Sequence, residues 1–235
     1  MQSAKNWDEL RNKIKKCPYG DCKRNKDKMP IFFRREESTL SEIKYIIISQ
    51  EPGVSVKDKQ SSDENEEKLI EYCIGTKSPQ YNSPIKRTLE ILNRKKFDPT
   101  KEDIYWTHAL KCPPIRDDKE IKDNWIGCAQ YCVNHFKEEL SLIPSEKLII
   151  IPMGGFATTL CNYIFDNKSL NTKVKIINYI ADLKEVKKFR YQKKEIIVAP
   201  FIHPSNRNRI TKFAKTAIEA LKKEDEFIEY IRSFS

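Results

Sequence analysis

Residues able to do chemistry collect at the ends of apolar runs in this sequence. In Lys44-Tyr-Ile-Ile-Ile-Ser-Gln-Glu-Pro-Gly53 the β-prone residues Tyr45 to Ile48 lead straight into Ser49, Gln50 and Glu51. Ile104 to Leu110, which includes His108, runs into Lys111-Cys112-Pro-Pro114, and Ile196 to Phe201 delivers Ile202-His203-Pro204-Ser205. Continuous apolar runs of this length read as strands buried on both faces, as in a parallel sheet. Ligands of open α/β sheets bind just beyond the carboxyl ends of such strands. The amide of Gln50, the carboxylate of Glu51 and the imidazole of His203 therefore stand where chemistry is expected. An ordinary strand-to-loop turn with an exposed acid is the plain alternative. A second kind of chemistry is offered by Cys17-Pro-Tyr-Gly-Asp-Cys22. Its Pro and Gly make a tight loop, and two thiols on one turn are a common metal half-site.

The elements that must position these groups follow from the apolar pattern. Residues 1–16 read as a short amphipathic helix with Trp7, Leu10 and Ile14 on one side. Strands are predicted at 44–49, 104–110, 148–153 and 196–201. A helix from about Ile85 to Leu92 has Ile85, Leu89 and Leu92 on one face. Further helices are predicted at about 119–141, after Gly154-Gly155, and at about 208–231, where Phe213, Ala217, Leu221 and Ile228 fall near one face. Residues 57–68 read as a charged loop, and the basic stretch 166–195 as mixed and unassigned. No internal repeat is present. Four strands separated by helical patterns imply a parallel α/β sandwich.

Composition narrows the partners. The chain has 235 residues, enough apolar material for one core, and a single domain over 1–235 is expected. Charged residues make up 33% of it and the formal net charge is +10, which favours polyanions, nucleic acid first. There is no secretory signal and no apolar run long enough to span a bilayer, so a soluble, cytoplasmic protein is expected. Seven cysteines in a reducing compartment are poor disulfide candidates and read as buried thiols or metal ligands.

The three strand ends, Ser-Gln-Glu-Pro-Gly, Lys-Cys-Pro-Pro and His-Pro-Ser, taken in order, resemble the uracil-DNA glycosylase superfamily. The resemblance is greatest to its iron–sulfur branch, family 4. That branch has a Gly-Glu-Ala-Pro-Gly first motif, an Asn-x-x-Lys-Cys second strand end and a closing His-Pro-Ser or His-Pro-Ala. Ile151-Pro-Met-Gly-Gly-Phe-Ala-Thr158 is similar to its helix entered through Leu-Gly-Ala-Thr. The likeness runs from Cys17 to about Arg209. It implies a three-layer α/β sandwich around a central four-stranded parallel sheet. It also implies a four-iron cluster on Cys17, Cys22, Cys112 and Cys128, with zinc as the alternative, since thiolates suit both. Cys132, one helical turn from Cys128, could substitute. Here four residues separate Cys17 from Cys22, where the family has two. Cys73 and Cys161 are expected to be core thiols.

The resemblance also implies roles. Uracil release breaks the C1′–N1 bond, with the base leaving as an anion and the sugar becoming oxocarbenium-like. His203 would donate to uracil O2 and stabilise the departing base. Aligned with Gly-Glu-Ala-Pro-Gly, the family's glutamate becomes Gln50. Aligned with the Gly-Gln-Asp-Pro motif of other uracil glycosylases, Glu51 takes the place of the catalytic aspartate. Glu51 is therefore the expected water-handling group, with Gln50 touching the base through its backbone. Ser49 stands in place of a glycine, and His108 in place of the asparagine that reads the uracil edge. One imidazole cannot reproduce an amide's paired contact, which opens the site to a different deaminated base. Tyr81 is the expected aromatic floor for the flipped base, with Phe32 or Phe33 as rivals. Ser205 belongs to the closing motif. Arg207 would wedge into the minor groove and Arg209 would meet phosphate. Lys23 to Lys28, Lys111 and Arg116 would add phosphate contacts. Asp58 is a weaker acid candidate, and His135 is expected at a helix surface.

The resulting expectation is a monomeric, monofunctional glycosylase acting on DNA in base excision repair, without a covalent lysine intermediate. Two alternatives stay open: a non-catalytic nucleic-acid-binding protein that keeps the fold and cluster, and a zinc-containing DNA-binding module.

Overall fold

The computed structural model describes residues 3–19, 43–51, 103–112, 125–170, 186–201 and 217–234, with residues 217–224 as backbone only. Within them lie α1 (Trp7–Lys15), β1 (Tyr45–Ser49), β2 (Ile104–His108), α2 (Trp125–Leu142), β3 (Lys147–Pro152), α3 (Gly155–Phe165), β4 (Lys187–Tyr191), β5 (Lys194–Val198) and α4 (Ala217–Arg232). The predicted helix at 85–92 and the first residues of the helices predicted from 119 and 208 fall outside the described residues.

The strands form one mixed sheet in the order β2-β1-β3-β5-β4. β1 pairs in parallel with β2 on one side and β3 on the other, and β3 pairs in parallel with β5. β1 is thus central, and all five of its residues are buried. This is the environment that a continuous Tyr-Ile-Ile-Ile run calls for.

Alternation along the strands sorts the core into two sides. Ile46, Ile48, Tyr105, Leu148, Ile150, Ile196 and Val198 join one apolar cluster with Trp7, Leu10 and Ile14 of α1, Val133, Phe136 and Leu140 of α2, and Leu160 and Ile164 of α3. Ile47, Trp106, Ile149, Ile151 and Ile197 are equally buried on the opposite face. Phe227, Ile228 and Ile231 of α4 are buried outside that first cluster, with the Phe227 ring 5.4 Å from that of Phe201. Helices α1, α2 and α3 thus pack as a layer against one face of the sheet.

The expected four-stranded parallel sheet needs correction. Four parallel strands are present, and a fifth, β4, runs antiparallel to β5 at the edge. It comes from the stretch left unassigned in the sequence. Tyr191 and Lys194 close a hairpin through Gln192 and Lys193, with Gln192 in the left-handed region at φ 54°. Two-residue hairpin turns with positive φ at the first central position favour glycine there, and Gln192 gives no such signal. Phe189 and Tyr191 hold the strand down by packing on Phe165, with ring centroids 5.8 and 5.5 Å away. The alternate residues are lysine and arginine, which blunt an exposed sheet edge.

α1 begins at Asn6, whose side chain accepts from the Glu9 N–H at 2.8 Å. Acids in its first turn and lysines in its last match the helix dipole. Trp7 seats it against Tyr105 of β2, rings 5.3 Å apart, and Lys13 reaches Glu138 of α2 at 2.9 Å.

Gly154 joins β3 to α3 at φ 89° and ψ 171°, a region essentially closed to residues with a Cβ. Its N–H donates to the Phe201 carbonyl at 2.8 Å, and its own carbonyl accepts from the N–H and hydroxyl of Thr158. Gly154→Ala is expected to cost ~1–3 kcal/mol, read as a lowered midpoint in urea unfolding with an unchanged slope.

Candidate active site

β1 and β2 end level with one another, Ser49 opposite His108. The pairing carries on past the strands. The Ala109 N–H donates to the Ser49 carbonyl at 2.7 Å, and the Leu110 N–H to the Gln50 carbonyl at 2.9 Å. Backbone bonds thus pin Ser49 and Gln50 against the turn that follows β2. Both side chains are half-buried, and Gln50 Nε2 donates to Glu51 Oε1 at 3.3 Å. The structure therefore brings Ser49, Gln50, Glu51 and His108 together at one end of the sheet. Cys22, Phe32, Phe33, Asp58, Cys73, Tyr81, Arg116, His203, Ser205, Arg207 and Arg209 lie outside the described residues. The chain leads toward His203 from Phe201, which bridges Met153 at the same carboxyl edge.

On the face opposite α2, Ser49 Oγ lies 2.5 Å from His108 Nδ1 and accepts from Trp106 Nε1 at 3.4 Å. His108 is buried. Burial first, and then the nearby Lys111 charge, lowers its pKa to about 3. The ring is neutral at physiological pH.

The other face of β2 carries a buried charge network that the sequence reading missed. Lys111 Nζ meets Glu139 of α2 at 2.6 Å, donates to Thr107 Oγ1 at 2.8 Å, and lies 5.3 Å from the centroid of the Phe136 ring. The Thr107 hydroxyl in turn donates to Glu139 at 2.8 Å. Burial pushes the Glu139 carboxyl upward, and Lys111 pulls against it. Lys111 is 1% exposed, so its expected contact with phosphate is corrected: the ammonium is spent inside the fold. Glu139 falls in the same helical stripe as Cys132, Val133 and Phe136. An acid in an apolar stripe needs a buried cation, and that was the available signal.

His135 also departs from expectation. It is half-buried rather than fully at the surface, and burial lowers its pKa to about 4. It lines a cavity of about 590 Å³ between α1 and α2, together with Lys13, Cys17, Tyr131, Asn134 and Glu138.

Of the expected metal ligands, Cys17 is half-buried just beyond α1, and Cys112 and Cys128 are buried. Cys128 and Cys132 share the buried stripe of α2. The Cys132 thiol is pushed up to about 11, mainly by burial, with Cys128 and Cys17 adding to the shift and Lys111 opposing it. These thiols thus lie within electrostatic reach of one another, and their softness suits iron–sulfur or zinc. Among the described residues no three Cys, His, Asp or Glu side chains come together as a metal ion requires. Cys161 is a core thiol, as expected, with its pKa driven up by burial.

The Lys111–Glu139 pair makes a stability prediction. Glu139→Ala leaves a buried ammonium without its counter-charge and should cost ~3–5 kcal/mol. The double change Lys111→Met with Glu139→Leu should recover most of that loss in urea unfolding.

The described helices include none long and apolar enough to cross a membrane. No curated protein matches the chain. A family model described as the uracil DNA glycosylase superfamily matches residues 39–234, a span that takes in every described strand and α2 to α4 but not Cys17 or Cys22. With β1 and β2 presenting Gln50, Glu51 and His108 at a shared carboxyl end, the chain belongs to the uracil DNA glycosylase superfamily.

Proposed function

We propose that the protein is a monofunctional DNA glycosylase that hydrolyses the bond between deoxyribose and uracil or a related deaminated base. The observation that carries this reading is the joint carboxyl end of β1 and β2, where Gln50, Glu51 and His108 are held together within a chain of this superfamily. Glu51 orients the attacking water and takes its proton as the water oxygen bonds to C1′ and the C1′–N1 bond breaks. The electron pair leaves with the base, and His203 donates a hydrogen bond to its O2. The Gln50 backbone and the His108 ring contact the base edge. Tyr81, or Phe32 or Phe33 in its place, provides the stacking floor. Ser205 of the closing motif contacts the substrate, and Arg207 fills the gap in the duplex. The surplus of positive charge, +10 overall, supplies phosphate attraction that salt screens.

The proposal extends to the iron–sulfur branch of the superfamily. Cys17, Cys22, Cys112 and Cys128 would hold the cluster, with Cys132 as the substitute ligand and zinc as the alternative metal. When bound, the group ties chain segments together structurally. Purified protein should carry about four irons and absorb in the visible. Cys112→Ser should bleach or unfold it. Retained colour in that variant would refute this ligand set, and stoichiometric zinc would replace the iron assignment.

The test of activity is base release from single-stranded and mismatched oligonucleotides containing uracil, hypoxanthine or xanthine. Abasic product is expected, falling by about two orders of magnitude or more in His203→Ala and in Glu51→Gln. No product from any of the three bases overturns the reading. Salt-dependent DNA binding would then favour a non-catalytic member of the superfamily, a possibility that the departures at Ser49, Gln50 and His108 raise.

A further inference from the structure

A groove runs between α1 and α2 on the side turned away from the sheet. The two helices are antiparallel: the Ala4 N–H lies 3.3 Å from Glu138 Oε2 near one end, and the Tyr19 and Tyr131 rings lie 4.3 Å apart at the other. Trp7, Leu10 and Ile14 of α1 and Val133, Phe136 and Leu140 of α2 face the core. Asn12, Lys13 and Lys16 are left on one bank and Tyr131, Asn134 and His135 on the other, and they line the cavity of about 590 Å³. Sites for nucleotide-sized molecules span about 300–1,000 Å³. Trp125, the first residue of α2, packs edge-on against Phe156 just beyond the carboxyl end of β3, ring centroids 4.6 Å apart. The Tyr131 end of the groove is therefore the end nearer the strand termini.

The lining points to one kind of ligand. Tyr131 is 39% exposed although Tyr19 covers one of its faces, in a stack only 20° from parallel. A ring braced from behind in this way offers a surface on which another planar ring can stack. Lys13 is paired with Glu138 at 2.9 Å, and the Glu9 carboxylate is folded back to accept the Lys5 N–H at 2.8 Å. Lys5 and Lys16 line the groove as exposed cations, with the length of α1, roughly 14 Å, between them. Asn12, Asn134 and His135 add groups that both donate and accept hydrogen bonds. A stacking surface flanked by cations and amides suits bases and phosphates. A mononucleotide with one phosphate would meet only one of the two lysines, whereas a strand meets both. We propose that this groove is a second nucleic-acid site, outside the base-release site: it holds single-stranded DNA, with one base stacked on Tyr131 and backbone phosphates on Lys5 and Lys16.

The test uses the full-length protein and an oligothymidylate, which contains no deaminated base. Binding is read by fluorescence anisotropy over a series of salt concentrations. Tyr131→Ala should weaken it by about five- to a hundredfold, and Tyr131→Phe, which keeps the ring, should bind as wild type does. The double change Lys5→Ala with Lys16→Ala should reduce the slope of log K against log[salt] by about 1.4, the loss of two phosphate contacts on a single strand. With 5-iododeoxyuridine at one position, photocrosslinks mapped by mass spectrometry should include α1 or α2 residues that line the groove. A Tyr131→Ala protein that keeps its circular dichroism and its affinity overturns the proposal, as do crosslinks confined to residues outside the groove. Thymidine monophosphate bound as tightly as the oligonucleotide would assign the groove to a free nucleotide. A wild-type dimer that Tyr131→Ala converts to a monomer would assign it to a second copy of the chain. Either result overturns the strand assignment. None of these readouts involves base release, so this proposal and the glycosylase reading fail independently.

Discussion

β1 is hydrogen-bonded along both edges and covered on both faces, and the site depends on its register. Pairing Ser49 with His108 sets the two strand ends level, and the next two backbone bonds fasten Ser49 and Gln50 to the turn after β2. A slip of one residue would reverse which side chains face which layer. It would move Ser49 away from the imidazole and bring an isoleucine into its place. The core on both faces forbids that slip, because Ile46 and Ile48 belong to one apolar layer and Ile47 to the other. Packing of aliphatic side chains thus determines the placement of polar ones.

β2 then separates two polar systems that would otherwise interfere. Tyr105 and Thr107 face α2, where Lys111 and Glu139 form a buried ion pair. Trp106 and His108 face the other way, toward Ser49. The ion pair joins the turn after β2 to the helix that carries Cys128 and Cys132. Burial keeps His108 neutral, and the charge of the lysine across the strand adds to that effect. A buried pair of this kind adds little net stability over apolar residues of the same shape, but losing one partner is costly.

At the far side of β1 a second clamp works through backbone alone. Gly154 adopts a conformation open only to glycine and donates to the Phe201 carbonyl, while the Phe201 N–H donates to the Pro152 carbonyl. The carboxyl ends of β3 and β5 are locked together at the point from which the chain proceeds to His203. The edge hairpin of β4 covers β5 from outside, so β5 is an interior strand even though it closes the parallel set.

Much of this was legible in the linear chain. Apolar runs located β1, β2, β3 and β5 to within a few residues, and the 3.6-residue spacing of Trp7, Leu10 and Ile14 correctly oriented α1. Polar residues immediately after those runs marked the carboxyl ends where Gln50, Glu51 and His108 meet. These features are local: periodicity and strand termination are written in neighbouring residues. β4 was not legible, since its charged, alternating sequence becomes a strand only because β5 offers an edge and Phe165 offers a surface. Lys111 looked like a surface cation until Glu139, in a different element, was placed against it. His108 could be named as a departure from the family's asparagine, but its neutral state and its bond to Ser49 required two strands in register. Residue type and spacing therefore determined which groups could act. Tertiary packing alone decided which of them are desolvated, which are paired and which share a wall of the site, because those properties belong to contacts between distant parts of the chain.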